Sequence, residues 1–367
     1  MIHKEEIDDL LEEYDTEDLT IGTLCSHSAL QIFHGARQEG FRTLGICTRD
    51  RKPLYEAYPL ACPDEFLLVE SFEDALSPEC QERLRRRNAI IVPHGSFVEY
   101  IGPESLEEEF YVPMFGNRRT LEWERDREKQ RLWLERAGLR CPREYRDPSE
   151  IEGKTFVKLP GAKGGKGFFT VSSEREFYEE LKKRTLSGVI DERESATLTI
   201  QEFIPGVRYY PHYFYSLFER GGARIGEGRV ELLSMDKRIE PIDESYRGLP
   251  EIPEAFFDYT VTGNQPLVIR ESLLPDLLRM GVSVVGASID LFPPGMIGAF
   301  CLEAIYHPLS GFTVFEVSAR IVAGTNLYPQ GSPYSCYLYN EPMSTGRRIA
   351  REIRVAAQAG QLDKIIF

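Results

Sequence analysis

The chain has 367 residues, 42% hydrophobic and 28% charged, which is enough for two or three domains with their own cores and too apolar for a disordered chain. A net charge of −15 argues against general binding to nucleic acid or to an anionic membrane, so any phosphate ligand must be held by local clusters of cations. No apolar run approaches the roughly 18 residues that span a bilayer, and Met1 to Glu6 has no signal-peptide core, so no membrane and a cytoplasmic location are expected.

The seven cysteines (25, 47, 62, 80, 141, 301 and 336) form no C-x-x-C pair and no zinc framework, so reduced, mostly buried thiols are expected. In chain order, residues 19–24 read as a buried strand, Ser26-His27-Ser28 caps an amphipathic helix to about Gly40, and residues 41–47 read as the next strand. That βαβ start implies a parallel sheet, which short strands at 66–69 and 89–92 continue around a charged helix at 81–88. Residues 1 to about 120 therefore read as one open α/β domain. Ligands of such sheets sit beyond the carboxyl ends of the strands. Here those ends carry Ser26-His27-Ser28 and Pro93-His94-Gly95-Ser96, which suits a small phosphorylated ligand at a helix N-terminus. The plainer alternative makes Ser26 or Ser28 an N-cap and His27 a satisfied loop residue.

Residues 122–137 read as one charged linker helix into a second domain, 121–367. Next comes Phe156-Val157-Lys158-Leu159-Pro160-Gly161-Ala162-Lys163-Gly164-Gly165-Lys166-Gly167-Phe168-Phe169, a strand, a glycine- and lysine-rich turn and a returning strand. Glycines let backbone N–H groups approach phosphate oxygens, and Lys158, Lys163 and Lys166 supply charge. Gly167 stands where a Walker loop needs Ser or Thr, so this is a covering hairpin or, more plainly, a solubilised hairpin tip. It opens a subdomain at about 150–205, in which a charged helix follows from about 174 to 184. The strand at 197–206 then offers Gln201-Glu202-Phe203 as the edge of a flat slot for a purine, or is an ordinary sheet strand.

Residues 299–306 and 313–320 flank a turn at 307–312. Symmetric pairing sets Glu303 opposite Glu316 and puts Ser318 and Arg320 on the same side, within 298–320. Two opposed carboxylates repel unless a cation lies between them, so this face suits Mg²⁺ bridging nucleotide phosphates, with Arg320 reaching the transferred group or the acyl intermediate, or, more plainly, is a solvated polar face. On that reading neither Glu303→Gln nor Glu316→Gln weakens the ligand-free fold. Of two basic runs, Arg83 to Arg87 reads as a solvated helix face, and Arg347 to Arg354 as a solvated face or a subunit contact in a homo-oligomer.

This ordered set resembles the ATP-grasp ligases. The wording of 156–165, of Arg270-Glu271-Ser272-Leu273-Leu274-Pro275, of Phe300-Cys301-Leu302-Glu303 and of Ser318-Ala319-Arg320-Ile321-Val322-Ala323-Gly324-Thr325-Asn326 is similar to the archaeal PurP family over nearly the whole chain. The resemblance implies an α/β fold: an N-terminal open parallel α/β domain followed by a two-subdomain α+β ATP-grasp domain. It implies a ligase that uses ATP and formate to formylate 5-aminoimidazole-4-carboxamide ribonucleotide, with Mg²⁺, or Mn²⁺ in its place, and small molecules as its partners. It further implies that Lys158 and the turn bearing Gly161, Lys163, Gly164, Gly165 and Lys166 cover the phosphates, that Gln201, Glu202 and Ile204 line the adenine slot, and that Glu240 contacts the nucleotide. Glu303 and Glu316 become the metal ligands; His27, Ser96 and Asn264 hold the acceptor; Lys158 and Arg320 serve catalysis. Ser318 departs from the superfamily, standing where Asn is expected, which implies a looser second metal. Two alternatives stand beside this one: an ATP-grasp ligase for another acid or amine, and a nucleotide-binding sensor without catalysis.

Overall fold

The computed structural model describes residues 2–159, 168–188, 190, 198–240 and 261–367. The first layer is a parallel sheet of β1 (Thr20–Leu24), β2 (Arg42–Thr48), β3 (Glu65–Val69) and β4 (Ala89–Ile91) in the order β3-β2-β1-β4. Every residue of β1 and β4 is buried, as expected of parallel strands covered on both faces. Both β1 and β4 end at the same edge of the sheet, and they are neighbours, with Thr20 beside Ala89 and Gly22 beside Ile91.

The linker is two helices, Arg119–Arg125 and Arg127–Arg136, rather than the single one expected. Asp126 breaks the run because its carboxylate accepts hydrogen bonds from the N–H groups of Glu128 and Lys129 (2.9 and 3.0 Å) and so caps a new helix. A small antiparallel sheet follows, ordered β5-β8-β6-β7 from β5 (Glu144–Tyr145), β6 (Thr155–Lys158), β7 (Phe168–Val171) and β8 (Thr199–Glu202). Val157, Phe169, Val171 and Ile200 bury one of its faces, against which lies Phe177 of the helix Glu174–Leu186.

The central sheet is antiparallel and contains β9 (Val207–Ser216), β10 (Ala223–Ile225), β11 (Gly228–Ile239), β12 (Gly263–Pro266), β13 (Gly298–His307) and β14 (Gly311–Ser318), with β10-β11-β9-β13-β14 as its path and β12 on the free edge of β11. One face carries Tyr213, Phe300, Leu302 and Val317 onto the helix Leu274–Leu291. The stretch Glu271–Leu291, which includes that helix, is long and apolar enough to cross a membrane by length and composition alone, but Leu277, Met280, Val284 and Val285 bury it in this core. The other face presents Phe214, Leu233 and Ala299 to Ile21, Ile90 and Val92 of the first layer in one shared cluster.

The helix Thr345–Gln358 returns to the first layer and crosses the helix Ala29–Gln38 at two glycines. A Cβ on Gly35 would lie 2.2 Å from the Arg347 nitrogen, and one on Gly346 2.3 Å from the Gln31 carbonyl oxygen, so only glycine permits this approach. Most of the basic run on this helix is therefore tied down inside the protein rather than solvated. Arg348 is fully buried between Glu231 (3.0 Å) and Glu352 (2.8 Å), while Arg347 and Arg351 both reach Glu39 (2.6 and 2.7 Å). Arg83 to Arg87 does lie at the surface, with Arg87 paired to Glu65. All seven cysteines are free thiols; Cys25, Cys47 and Cys301 are buried and Cys336 is exposed.

Candidate active site

Strand pleat and register assemble the floor of the site. Opposed residues share a face of a sheet, so Glu303 with Glu316, Cys301 with Ser318 and with His212, Asp236 with Tyr210, and Arg238 with Asn264 make one polar stripe across β12, β11, β9, β13 and β14. Glu303 faces Glu316 as expected, but the hairpin is not symmetric: Ala304 pairs with Val314, leaving Phe315 as the extra residue of a bulge.

The cation that the opposed acids require is present in the protein itself. Arg238 holds both carboxylate oxygens of Glu303, Nη1 to Oε2 at 2.9 Å, with its guanidinium carbon 4.0 Å from the centre of the Tyr210 ring. Burial would lower the pKa of Arg238, yet the Glu303 charge carries it above its ordinary value. Glu316 is exposed on β14, but the protein around its carboxyl and then the Glu303 charge push it up to about 7. Two carboxylates, one of them reluctant to ionise alone, suit a single Mg²⁺. Each Glu303 oxygen keeps a lone pair beyond its bond to Arg238. Among the described residues no three His, Cys, Asp or Glu side chains converge on one point, so the remaining ligands of such an ion would be phosphate oxygens and water.

Across the cleft, Lys158 ends β6. Its Nζ lies 5.8 Å from the Phe315 ring centre, and its pKa is lowered by burial while the Glu316 charge opposes that. The register sets Phe156 opposite Gln201 and Lys158 opposite Thr199, so Gln201 shares the face of Lys158, where the Phe156 and Phe203 rings lie 5.1 Å apart. Glu202 alternates to the opposite face, and its carboxylate accepts the N–H of Arg143 (3.1 Å). Ile204 is buried just beyond β8. Glu240 is buried at the end of β11 in an ion pair with Arg208. Gly161, Lys163, Gly164, Gly165 and Lys166 lie outside the described residues.

The third wall comes from the ends of β1 and β4. His27 has a left-handed backbone, φ 51°, and its ring stacks on His94 at 5.3 Å and 6°. His94 is fully buried; Nε2 donates to the Leu24 carbonyl (3.0 Å) and Nδ1 accepts from the Ser96 N–H (3.2 Å), bonds that fix a neutral tautomer. Burial lowers its pKa to about 4, while burial, Arg320 and His94 hold His27 well below the usual histidine range. Ser96 is buried beside it. Neither serine of the loop caps the helix: Ser28 Oγ bonds His27 Nδ1 (2.8 Å) and Ser26 Oγ accepts from Arg51 (2.8 Å). Arg320, two residues past β14, reaches this wall. A Cβ built on Gly95 would lie 3.0 Å from His27 Nε2 and 3.5 Å from Arg320 Cζ, so both side chains flank that glycine. Glu124 holds Arg320 from behind (3.0 Å) and accepts the Ala319 N–H (2.8 Å). Asn264, half-buried on the floor, donates to Asp236 (2.7 Å), which in turn pairs with His212 (2.7 Å).

Sequence reasoning missed Arg238, Tyr210 and Glu124. Arg238 has a signal, since period two along β11 puts it between Asp236 and Glu240 on one face. Glu124 has none, being one acid among many in a charged helix.

Two family models match the chain: "Protein of unknown function (DUF1246)" over residues 21–145 and "Domain of unknown function (DUF1297)" over residues 176–367. Proteins named 5-formaminoimidazole-4-carboxamide-1-(beta)-D-ribofuranosyl 5'-monophosphate synthetase are similar over 100% of both chains: 57% identical in Korarchaeum cryptofilum, 53% in Methanosarcina barkeri and 44% in Methanocaldococcus jannaschii. Among solved structures, an IMP biosynthesis protein PurP from Thermococcus kodakaraensis is 31% identical with a TM-score of 0.72, covering 95% of this chain and 100% of that one. An N5-carboxyaminoimidazole ribonucleotide synthetase from Thermotoga maritima, 15% identical with a TM-score of 0.56 over 91% of this chain and 75% of that one, shares the fold, which is that of the ATP-grasp ligases. With full-length identity at this level, the chain belongs to the family of 5-formaminoimidazole-4-carboxamide ribonucleotide synthetases.

Proposed function

We propose that the chain is a ligase that spends ATP to join formate to the 5-amino group of 5-aminoimidazole-4-carboxamide ribonucleotide, working in the cytoplasm. One observation carries this reading beyond the family likeness. Arg320 lies two residues past the strand of Glu316 and yet reaches the side of Gly95 that His27 also faces, so a nucleotide held at Lys158 and Glu316 and an acceptor held at His27 would meet at one guanidinium. In this reading residues 1–120 supply most of the acceptor site, and 121–367 grip ATP.

Formate is a poor acyl donor because its oxygen is a bad leaving group. A formate oxygen attacks the γ-phosphorus and ADP departs. The amine lone pair then attacks the formyl carbon, phosphate leaves with that oxygen, and the amine loses a proton. Mg²⁺ between Glu303 and Glu316, or Mn²⁺ in its place, would neutralise phosphate charge. Lys158 stands where it can add positive charge to the same oxygens, and Arg320 where it can hold the acyl phosphate against the amine. Gln201 would face the adenine edge and Glu240 the nucleotide. His27, kept uncharged at neutral pH, can accept a hydrogen bond from the acceptor, with Ser96 and Asn264 beside it.

The test uses ¹⁸O-formate with ATP and the aminoimidazole ribonucleotide. One label should appear in the released phosphate, and ADP release should require all three substrates. Unlabelled phosphate would rule out the acyl-phosphate route, and ADP release that ignores formate or the ribonucleotide would rule out the substrate assignment.

A further inference from the structure

Two non-glycine residues among those described have positive φ, His27 (51°) and Asn88 (48°). Both residue types are found at positive φ more often than most, yet the region stays sparsely populated, and His27 at the mouth of a site keeps it only with surroundings that hold it there. The side-chain contacts of His27, to Ser28 and to the His94 ring, fix the ring. Its backbone is held from the other end of the sequence, because Asn326 Nδ2 donates to the His27 carbonyl oxygen at 3.2 Å.

Four hydrogen bonds determine which way that asparagine points. Gly346 N–H, in the first turn of the helix Thr345–Gln358, donates to Gln31 Oε1 (3.2 Å), which satisfies a donor that has no partner within its helix. With Oε1 committed, Gln31 Nε2 faces the other way and donates to Thr325 Oγ1 and Asn326 Oδ1, both at 2.6 Å. Thr325 must accept, since its own hydroxyl donates to the Val322 carbonyl (2.6 Å). Asn326, its oxygen claimed by Gln31, is left with its NH₂ toward His27. An amide that could otherwise flip is thus fixed in a relay starting at a backbone N–H.

We propose that Asn326, oriented by Gln31, is a positioning residue for the acceptor: it holds the His27 backbone in the left-handed conformation that sets the ring against Gly95 and Arg320. It touches no reacting atom. The relay runs from the Ala323–Leu327 turn to the loop after β1, so that loop is held by the part of the chain that carries Arg320. The functional half of this inference rests on His27 contacting the acceptor, as proposed above.

Asn326 is exposed, so Asn326→Ala should fold normally. In the purified full-length enzyme it should raise the acceptor KM about tenfold, the worth of one hydrogen bond, with the ATP KM within about twofold. Gln31→Leu should do the same, and the double variant should raise the acceptor KM no further than either alone, because both interrupt one relay. Gln31 is buried and its replacement risks misfolding, in which case Asn326→Ala decides. A second readout needs no catalysis. In isotope-labelled ligand-free protein, with six histidines in all, Asn326→Ala should move the His27 ring signal and leave those of His3, His34 and His307 in place. An unmoved His27 signal overturns the proposal, as does an ATP KM that rises as much as the acceptor KM. His27→Ala separates the two readings. If it leaves the acceptor KM unchanged, the acceptor assignment fails and the ring signal alone judges the relay; if it raises that KM while Asn326→Ala does not, the relay fails.

Discussion

Arg238 on β11 reaches past β9 to grip Glu303 on β13, its Nη1 2.9 Å from Oε2, with the Tyr210 ring of β9 beneath the guanidinium. The two acids of the β13–β14 hairpin are therefore not equivalent: Glu303 is neutralised by the protein, while Glu316 faces the cleft with its carboxyl pushed up to about 7.

That inequality revises the expectation that neither glutamine variant weakens the ligand-free fold. Glu303→Gln strips Arg238 of its ion pair and should cost about 1–3 kcal/mol of stability, whereas Glu316→Gln removes repulsion and should leave the melting temperature unchanged or raised. Both should abolish most turnover, and the double variant should be little slower than either, since the pair acts as one unit. Melts of the ligand-free protein with steady-state assays check this; a Glu316→Gln protein less stable than Glu303→Gln would contradict it.

Glu124 is predicted to act on catalysis through Arg320. Glu124→Gln keeps an oxygen for the Ala319 N–H but exchanges the ion pair for a neutral contact, so the guanidinium loses its fixed position. We expect kcat to fall about tenfold or more, with the ATP KM little changed. A loss confined to the ATP KM would place Arg320 in nucleotide binding instead.

His94 should make the fold sensitive to acid. Its pKa is about 4 in the folded protein, lowered by burial, against about 6.5 in the unfolded chain. The unfolded state therefore binds the extra proton between these values. The stability from keeping His94 neutral is whole above pH ~6.5 and is lost as pH falls toward ~4, at up to about 1.4 kcal/mol per pH unit. Chemical denaturation of wild type and of His94→Gln between these pH values should show a shallower slope for the variant; equal slopes would refute the assignment.

Gly95→Ala tests how closely the proposed acceptor wall is fitted. The new methyl would stand 3.0 Å from His27 Nε2 and 3.1 Å from Cδ2, closer than ordinary contact. The His27 residue is exposed, so its ring can shift by the few tenths of an ångström this needs without losing Ser28 or His94, and the stability change should stay within about 0.5 kcal/mol. The acceptor KM should rise while the ATP KM holds. Equal changes in both would mean that the ring is not part of the acceptor site.

What the sequence determined by itself was whatever depends on near neighbours in the chain. Unbroken apolar runs around an amphipathic helix announce the parallel sheet, because strands buried on both faces cannot alternate. The opposition of Glu303 to Glu316 was legible only in outline: the turn sets Ala304 against Val314, a register that would put Glu303 opposite Phe315, and the bulge at Phe315 brings the two acids face to face. His27 and Ser96 fall at neighbouring strand ends because βαβ connections bring those ends to one edge. Pairings between distant segments were decided only by tertiary structure. Arg238 meets Glu303 because β9 lies between their strands, an order that no local signal encodes. Glu124 reaches Arg320, and Asn326 reaches His27, only once separate layers have docked. The basic run of the helix Thr345–Gln358 illustrates the same limit: its charges read as a solvated face, yet Arg348 is fully buried, because Glu231 and Glu352 wait for it in the core. A buried charge is affordable only with its partner, and that partner lies more than a hundred residues away in Glu231.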